Sequence, residues 1–372
     1  MSNEEIIKKL VKKEYVSGIC CGVGNNKNFD KYYYGYTDNS QKYKIDDNSL
    51  MDLASCSKLF TLIVYLKWHE TGKLNLHDEI GRYTDKFKNL KKVPIYKLLN
   101  FSVSLRTDKR IDSCLNKKEA LEVLYNTKLL DVESTYSDIG SIIASELLNI
   151  IGKSSHTFKN EINKIIDKCK MYNTYLLSDN IDKSLLPSYD YEYKYINKTF
   201  KVNRTSIGKC QDKKTAFFLG HAGIFSTLKD LSKFARCIVN CKLFSYDTML
   251  LLFDEKYCFQ NNHQRLGLLC YLKDPRNDYY YSEVSKYMSS YSIGISGYTG
   301  THISLDFDKK IFVIILSNRI NKKITYCDSD NIFDDNKIRI DNKVYSISQQ
   351  YVFKKDALRD SLILSLLVTS KL

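Results

Sequence analysis

The residues best suited to chemistry in this sequence are a serine and a lysine three positions apart, Ser55 and Lys58. The apolar residues 54–70 predict a helix, and positions i and i+3 share one face of a helix, so Lys58 can reach the Ser55 hydroxyl. An unprotonated amine there can take the serine proton and create a nucleophile. The positive end of the helix dipole also favours the negative charge that develops in acyl transfer. Because this spacing is common by chance in lysine-rich chains, its meaning depends on the elements that position it.

Strand signals occur at both ends of the chain, with helical signals between them. Residues 15–23 and 31–36 predict two strands after a short amphipathic helix. Residues 303–307 alternate and residues 311–316 are continuously apolar, which indicates a hairpin whose second strand is buried on both faces. Further helices are predicted at residues 95–99, 118–124, 138–151, 227–237 and 354–368.

This order of elements predicts an α+β fold. Residues 1–77 and 207–372 are expected to form one domain with an antiparallel sheet built from both ends of the chain and flanked by helices. Residues 78–206 are expected to form an inserted, mainly helical subdomain. A chain of 372 residues with only 3 prolines has room for this arrangement without a long disordered linker.

Composition argues against several other classes of protein. The N-terminal segment lacks the apolar core of a secretory signal, and the apolar run at residues 362–368 is shorter than the ~20 residues that span a bilayer. The eleven cysteines are scattered, without a C-x-x-C pair. An odd count of this kind is typical of free thiols in a reducing compartment. We therefore expect a cytoplasmic protein with no membrane span, no metal site and no cofactor.

The net charge of +14 is spread along the chain, with lysines interleaved among Asp and Glu residues. This pattern supports solubility and weak attraction to anionic surfaces, so no nucleic-acid partner is predicted. Nucleic-acid binding is kept as an outside alternative, which strongly salt-dependent affinity for DNA or RNA would reveal.

Two later segments give the serine–lysine pair its context. Tyr136-Ser137-Asp138 lies just before the predicted helical residues 139–151, and residues 294–301, Gly-Ile-Ser-Gly-Tyr-Thr-Gly-Thr, lead into the C-terminal hairpin. With the segments at 51–58, 70–78 and 220–227, they resemble the serine β-lactamase and penicillin-binding-protein superfamily. The likeness is greatest to its class C, esterase and D-stereospecific peptidase branch, and it covers most of the chain.

The resemblance implies a role for each matching residue. Ser55 would be the acylated nucleophile, and Lys58 its activating partner. Tyr136 would return the proton to the leaving group and later activate water, and a neighbouring ammonium is expected to favour its phenolate. The backbone N–H groups of Ser55 and Tyr298 would form the oxyanion hole.

Departures from the family pattern concern substrate recognition. Ile295 stands where the family has lysine or histidine, so recognition of a substrate carboxylate is not expected. Asp138 replaces the usual asparagine, which would favour protonated Lys58 and oppose a Tyr136 phenolate. The family segment Leu-Leu-x-His-Thr-Ser-Gly-Leu is eroded at residues 98–105. The substrate-binding residues predicted in this way are Asp138, Ile295, Ser296 and Gly297.

Three other reactive side chains receive a different interpretation. His221 is expected to make structural hydrogen bonds, His302 to face either the cleft or solvent, and Cys56 to pack in the core. The sequence thus predicts a serine hydrolase acting through an acyl-enzyme on a neutral ester, amide or peptide, of the esterase or D-amino-acid peptidase type. The alternative is a catalytically weakened homologue that binds a ligand or partner.

Overall fold

A computed structural model gives the fold over residues 1–37, 41–176, 192–196, 199–203, 220–261, 264–276, 283–322, 324–327, 332–333, 337–340, 343–346 and 350–369. The helices of these residues are α1 (Asn3–Lys12), α2 (Lys58–Glu70), α3 (Ile95–Leu99), α4 (Lys117–Tyr125), α5 (Asp138–Ile151), α6 (Thr157–Lys168), α7 (Leu228–Val239), α8 (Tyr246–Leu250) and α9 (Gln350–Thr369).

The strands belong to one large sheet and to several small ones. Their bounds are β1 (Gly18–Gly24), β2 (Phe29–Gly35), β3 (Met51–Asp52), β4 (Ser104–Arg106), β5 (Lys128–Leu130), β6 (Tyr175–Leu176), β7 (Glu192–Ile196), β8 (Thr199–Asn203), β9 (Ile224–Ser226), β10 (Phe259–Gln260), β11 (Arg265–Gly267), β12 (Cys270–Leu272), β13 (Ser292–Ser296), β14 (His302–Asp306), β15 (Ile311–Ser317), β16 (Ile324–Cys327), β17 (Ile332–Phe333), β18 (Lys337–Ile340) and β19 (Lys343–Ser346).

The large sheet joins the two ends of the chain, as predicted. Its strand order is β10-β11-β12-β13-β14-β15-β1-β2, and every neighbouring pair is antiparallel. Ile19 in β1 lies opposite Tyr34 in β2 and Ser317 in β15. The N-terminal hairpin of β1 and β2 therefore pairs with the C-terminal hairpin of β14 and β15 through β1 and β15. The prediction of an α+β fold is confirmed.

Helices cover both faces of this sheet. Successive residues of a strand point to opposite faces, so Cys20 and Ile314 pack in the core that contains α2 and α7. Cys21 and Ile315 pack on the other face, against α1 and α9. All seven residues of β15 are buried, because this strand lies inside the sheet and is covered on both faces.

The predicted helices are present, with local corrections at their ends. Ser2 caps α1 through a reciprocal capping box with Glu5, and the Thr227 hydroxyl accepts the Asp230 N–H at the start of α7. Helix α9 begins at Gln350, four residues earlier than predicted. The predicted helix at residues 54–70 divides into a 3₁₀ turn, Ala54–Ser57, and α2.

Helices α3 to α6 and the short hairpin of β4 and β5 occupy residues 95–168, within the predicted helical subdomain. The second predicted boundary, at residues 206 and 207, lies outside the described residues, and the division into two domains stays a prediction. Across the part of the chain that the structure describes, each helix is too short or too polar to cross a bilayer.

Candidate active site

Ser55 and Lys58 lie together at the entrance to the central helix. Ser55 belongs to the 3₁₀ turn, and Lys58 is the first residue of α2. The Lys58 Nζ donates to the Ser55 Oγ over 3.1 Å. The Lys58 residue is fully buried, whereas Ser55 is only partly buried. The proximity predicted from the i, i+3 spacing is therefore present, with the hydroxyl on the more accessible side.

The Lys58 ammonium is held by two further oxygen atoms. It donates to the Asp138 Oδ1 over 2.6 Å and to the His221 carbonyl oxygen over 3.3 Å. Burial opposes ionisation of Asp138, but the charges of Lys58 and His221 and the hydrogen bond from Lys58 outweigh it and hold the pKa of Asp138 below its usual value. Asp138 lies at the start of α5 with a side chain that is 51% exposed, so this ion pair reaches from the buried helix to the surface.

Tyr136 completes the cluster two residues before Asp138. The Lys58 Nζ lies 4.8 Å from the centroid of the Tyr136 ring. This ring stacks between the rings of Phe101 and Tyr271, with centroid distances of 4.9 and 5.8 Å. The buried Tyr136 hydroxyl makes no well-formed hydrogen bond to a described residue. We call Ser55, Lys58, Tyr136 and Asp138 the acylation cluster, after the role that the sequence predicts for Ser55.

The protonation state expected for Tyr136 is corrected by this environment. Burial first, and then the negative charge of Asp138, raise the pKa of Tyr136 well above its usual value, and the Ser55 hydroxyl offsets this only in part. The predicted opposition of Asp138 to a phenolate is therefore confirmed. The expectation that a nearby ammonium favours the phenolate was wrong, because burial and the negative charge of Asp138 both favour the neutral phenol. Tyr136 is a neutral phenol.

The loop of residues 297–301 approaches the acylation cluster from the large sheet. Tyr298 is 39% exposed beside the buried Gly297. A Cβ atom on Gly297 would lie 2.6 Å from the Leu53 carbonyl oxygen and 3.1 Å from the Ala54 Cβ, so only glycine fits there. The segment that carries Tyr298 thus lies against the turn that carries Ser55, which is where the predicted oxyanion donors would have to meet.

Ile295 and Ser296 point to opposite sides of β13. Ile295 is fully buried in the core with α2 and has no surface for a substrate to contact. The Ser296 hydroxyl contacts Glu283 and Lys355 closely and lies 2.9 Å from the His302 Nδ1. Both were predicted to bind substrate, and the structure places both side chains among protein partners.

A second group of polar side chains therefore lies beside the first. We call Ser296, Glu283, His302 and Lys355 the buried cluster. Glu283 Oε2 lies 3.2 Å from both the Lys355 Nζ and the His302 Nδ1. Burial opposes ionisation of Glu283, but Lys355 and His302 hold its pKa well below the usual value. Burial above all lowers the pKa of His302 to about 3, so this ring is neutral at physiological pH.

The structure places the three other reactive side chains, Cys56, His302 and His221, in different surroundings. Cys56 is fully buried, its Sγ is 3.5 Å from the Ile295 carbonyl oxygen, and burial raises the pKa of its thiol to about 12, consistent with a packing residue. His302 faces neither cleft nor solvent, because it is fully buried between β13 and α9, which corrects that expectation. His221 is buried and contributes its carbonyl oxygen to Lys58.

Sequence reasoning missed Glu283 and Lys355. They are 72 residues apart in the chain, and neither lies in a recognisable motif. Lys355 follows the start of a helix whose polar residues would ordinarily be taken for a solvent-exposed face. The sequence signal that could have found Lys355 is its position in an otherwise apolar helical pattern, since lysine is rarely buried without a partner.

The fold is an antiparallel sheet with helices on both faces, and the acylation cluster lies at the start of α2 beside the loop that joins β13 and β14. The sequence model described as Beta-lactamase matches residues 3–324, and the chain belongs to this family. The teichoic acid D-alanine hydrolase of Staphylococcus aureus is 22% identical over 243 residues, which are 64% of this chain and 58% of that protein. The chain thus spans little more than half the length of this curated relative.

Solved structures with the same fold cover nearly the whole chain. EstCE1, described as a hydrolase with promiscuous acyltransferase activity, has a TM-score of 0.71 at 15% identity, with 97% of each chain covered. D-amino acid amidase from Ochrobactrum anthropi SV3 has a TM-score of 0.69 at 14% identity, covering 100% of this chain and 98% of that one. A class C β-lactamase in complex with cefoxitin has a TM-score of 0.67 at 16% identity, covering 98% and 97%. At these identities the likeness shows the fold.

Proposed function

We propose that this protein, a hydrolase of the β-lactamase fold, is a serine hydrolase that forms an acyl-enzyme on Ser55. The observation that carries the proposal is the contact of the buried Lys58 Nζ with the Ser55 Oγ at 3.1 Å and the Asp138 Oδ1 at 2.6 Å. A serine hydroxyl needs a group that removes its proton as it attacks, and this lysine is the one in position. The Asp138 carboxylate, which is paired with Lys58, can accept a proton from the lysine in turn.

The proposed proton route follows from the charges of the site. Lys58 is paired with an ionised carboxylate, so it takes the Ser55 proton as one of its own moves to Asp138. The bond from Ser55 Oγ to the substrate carbonyl carbon forms, and the bond to the leaving group then breaks. Tyr136, a neutral phenol, donates to the leaving group and recovers the proton that the Lys58–Asp138 pair holds. Water attack on the acyl-enzyme runs the same transfers in reverse.

The oxyanion that forms on the carbonyl needs donors that are fixed in advance. The backbone N–H groups of Ser55 and Tyr298 are proposed for this role. Supporting it, the Gly297 backbone packs against the Leu53 carbonyl, which holds the two segments in contact. The exposed edge of Tyr298 would then border the bound acyl group.

Charge indicates the substrate class. Lys58 is paired with Asp138, the neighbouring Lys355 is buried and paired with Glu283, and position 295 supplies no cation. A site balanced in this way gives a substrate carboxylate little electrostatic attraction, so a neutral ester or amide fits better than a penicillin-type acid. The names of the relatives, a D-alanine hydrolase and a D-amino acid amidase, support D-amino-acyl esters or amides as candidates.

A specific observation favours the alternative, a weakened homologue that binds a ligand or partner. The Lys58 Nζ is ion-paired with Asp138, and Tyr136 is a neutral phenol, so neither side chain is free to take the Ser55 proton in the resting site. If proton transfer from Lys58 to Asp138 does not accompany attack, Ser55 would remain unactivated.

The test is covalent labelling with a fluorophosphonate together with turnover of p-nitrophenyl acetate. Wild-type protein should be labelled at Ser55 and should release nitrophenol, whereas Ser55→Ala should do neither. Ser361→Ala is the matched control, because Ser361 lies in α9 and bonds to Asn3 on the opposite face of the sheet. Equal signals from wild type and Ser55→Ala would refute the proposal. Rates with the methyl esters of D-alanine and L-alanine then test the substrate class.

A further inference from the structure

The turn just before Ser55 has an unusual backbone conformation. Ala54 has φ = 43°, in the left-handed region that alanine rarely occupies. Such a conformation persists only where the surroundings hold it in place. Since Ala54 precedes Ser55 directly, whatever holds this residue also sets the direction of the Ser55 N–H and side chain.

One element of this support is the Asp52 side chain. Its Oδ1 accepts the Ala54 N–H over 2.8 Å, while its buried Oδ2 has no hydrogen-bond partner among the described residues. Burial raises the pKa of Asp52 to about 7, although the Ala54 N–H lowers it in part; no ionised neighbour contributes. A buried carboxyl group with one unsatisfied oxygen is unfavourable for stability. The hydrogen bond from the Ala54 N–H to the Asp52 carboxyl group gives a reason for this group in the core.

A second element comes from the loop of residues 297–301. The Thr299 hydroxyl donates to the Asp52 carbonyl oxygen over 2.9 Å, and the Thr301 hydroxyl donates to the Leu53 carbonyl oxygen over 3.1 Å. Both hydroxyls are buried, so each bond forms in a medium that strengthens it. These bonds join the turn before Ser55 to the segment that directly follows Tyr298.

We propose that Asp52 and Thr299 are positioning residues that hold Ala54 in its left-handed conformation and thereby fix the Ser55 N–H relative to the Tyr298 N–H. The inference rests on the proposed function, because the two N–H groups matter only if an oxyanion forms between them. Neither residue touches the reacting atoms. They act through the backbone, so their loss should lower the acylation rate and leave substrate binding nearly unchanged.

The experiment compares a disruptive and a conservative variant at each position. Asp52→Asn and Thr299→Ser keep the hydrogen-bonding atom, whereas Asp52→Ala and Thr299→Val remove it. Amide hydrogen exchange of the peptide at residues 51–57 reports on the turn without any need for activity. The kcat and KM for p-nitrophenyl acetate report on catalysis.

We expect Asp52→Ala and Thr299→Val to raise exchange in residues 51–57 at least about tenfold, because a buried hydrogen bond is lost. They should lower kcat by roughly 10- to 100-fold with KM within about twofold, since small misplacements of reacting groups are costly. Asp52→Asn and Thr299→Ser should restore both quantities to within about threefold of wild type.

The outcomes separate this inference from the proposed function. Unchanged exchange in both disruptive variants overturns the positioning role, whatever the activity. Increased exchange with unchanged kcat in an active protein also overturns it, because the turn would then be irrelevant to catalysis. A wild-type protein without turnover refutes the proposed function, and exchange still decides whether the two residues hold the turn. If Asp52→Ala does not fold, the Thr299 pair tests the same contact from the other segment.

Discussion

The acylation cluster and the buried cluster contain the same kinds of residue and differ in what surrounds them. Each has a serine, a lysine and a carboxylate, and both lysines are almost completely buried. The Asp138 side chain is 51% exposed, whereas that of Glu283 is 18% exposed. The Ser296 hydroxyl already contacts three side chains, whereas the Ser55 hydroxyl faces an accessible side. The two clusters therefore differ in available space and free hydrogen-bonding capacity rather than in residue type, and this is why we propose Ser55, and not Ser296, as the nucleophile.

Replacing the lysine of the acylation cluster should have the largest effect on chemistry. Lys58→Met removes the proposed proton acceptor and should lower the acylation rate by about 10²- to 10⁴-fold. Asp138, left without its partner, can be hydrated at the surface, so the free energy of unfolding should change little. Stopped-flow turnover and chemical denaturation measure the two effects. A stable variant with wild-type turnover would show that Lys58 is not the base.

The same change in the buried cluster should affect stability instead. Lys355→Met leaves Glu283 buried without its cation, which should cost about 3–5 kcal/mol of the free energy of unfolding. Turnover measured well below the melting temperature should stay within about tenfold of wild type. The double variant Lys355→Met/Glu283→Gln is the control and should recover part of the loss. A greater loss of turnover than of stability would contradict this division between the clusters.

A third variant tests whether a histidine at position 295, where the family has lysine or histidine, restores recognition of a substrate carboxylate. Ile295→His would place an imidazole in the apolar core and should reduce the free energy of unfolding by ~2 kcal/mol. Because the side chain is fully buried, labelling by a fluorescent penicillin should not improve. Ile295→Val is the control for packing alone. Faster penicillin labelling in the histidine variant would indicate that this position can face a substrate.

The smallest effect is expected at the carboxylate of the acylation cluster. Asp138 has a lowered pKa and is ionised at neutral pH, and in the proposed route it accepts a proton from Lys58. Asp138→Asn should therefore reduce turnover at pH 7 by about tenfold. The rate should then rise with pH, because without the Asp138 carboxylate the proton taken from Ser55 has to be lost to solvent. The profile of kcat/KM from pH 5 to 10 measures this. A higher rate than wild type at pH 7 would favour the alternative, in which Asp138 suppresses activation of Ser55.

Several features of the fold and site were predictable because their causes are local. The proximity of Ser55 and Lys58 follows from helical spacing, and the C-terminal hairpin follows from strand alternation and an uninterrupted apolar run. Tyr136 is different, because it is one of 29 tyrosines. Only its order among the family motifs singled it out, and it does lie beside Lys58.

Other features depend on contacts between distant segments. The Asp52 carboxyl group and the Thr299 hydroxyl meet the same turn although they are 247 residues apart. The direction of the Tyr136 pKa shift was mistaken because the sequence shows the neighbouring lysine but not the degree of burial. Ser296 is polar and lies in a family motif, so the sequence predicts that it binds substrate. Its hydroxyl instead contacts Glu283 and Lys355, which come from other parts of the chain.

The sequence by itself determined the family, the antiparallel sheet built from both ends of the chain and the pairing of Ser55 with Lys58. Helical and strand periodicities are short-range properties, and motif order is written along the chain. Only the tertiary structure decided which serine–lysine–carboxylate group stays open, that Tyr136 is a neutral phenol and that Ile295 is enclosed. These outcomes depend on desolvation and on charges brought together from distant segments, and neither is a property of local sequence.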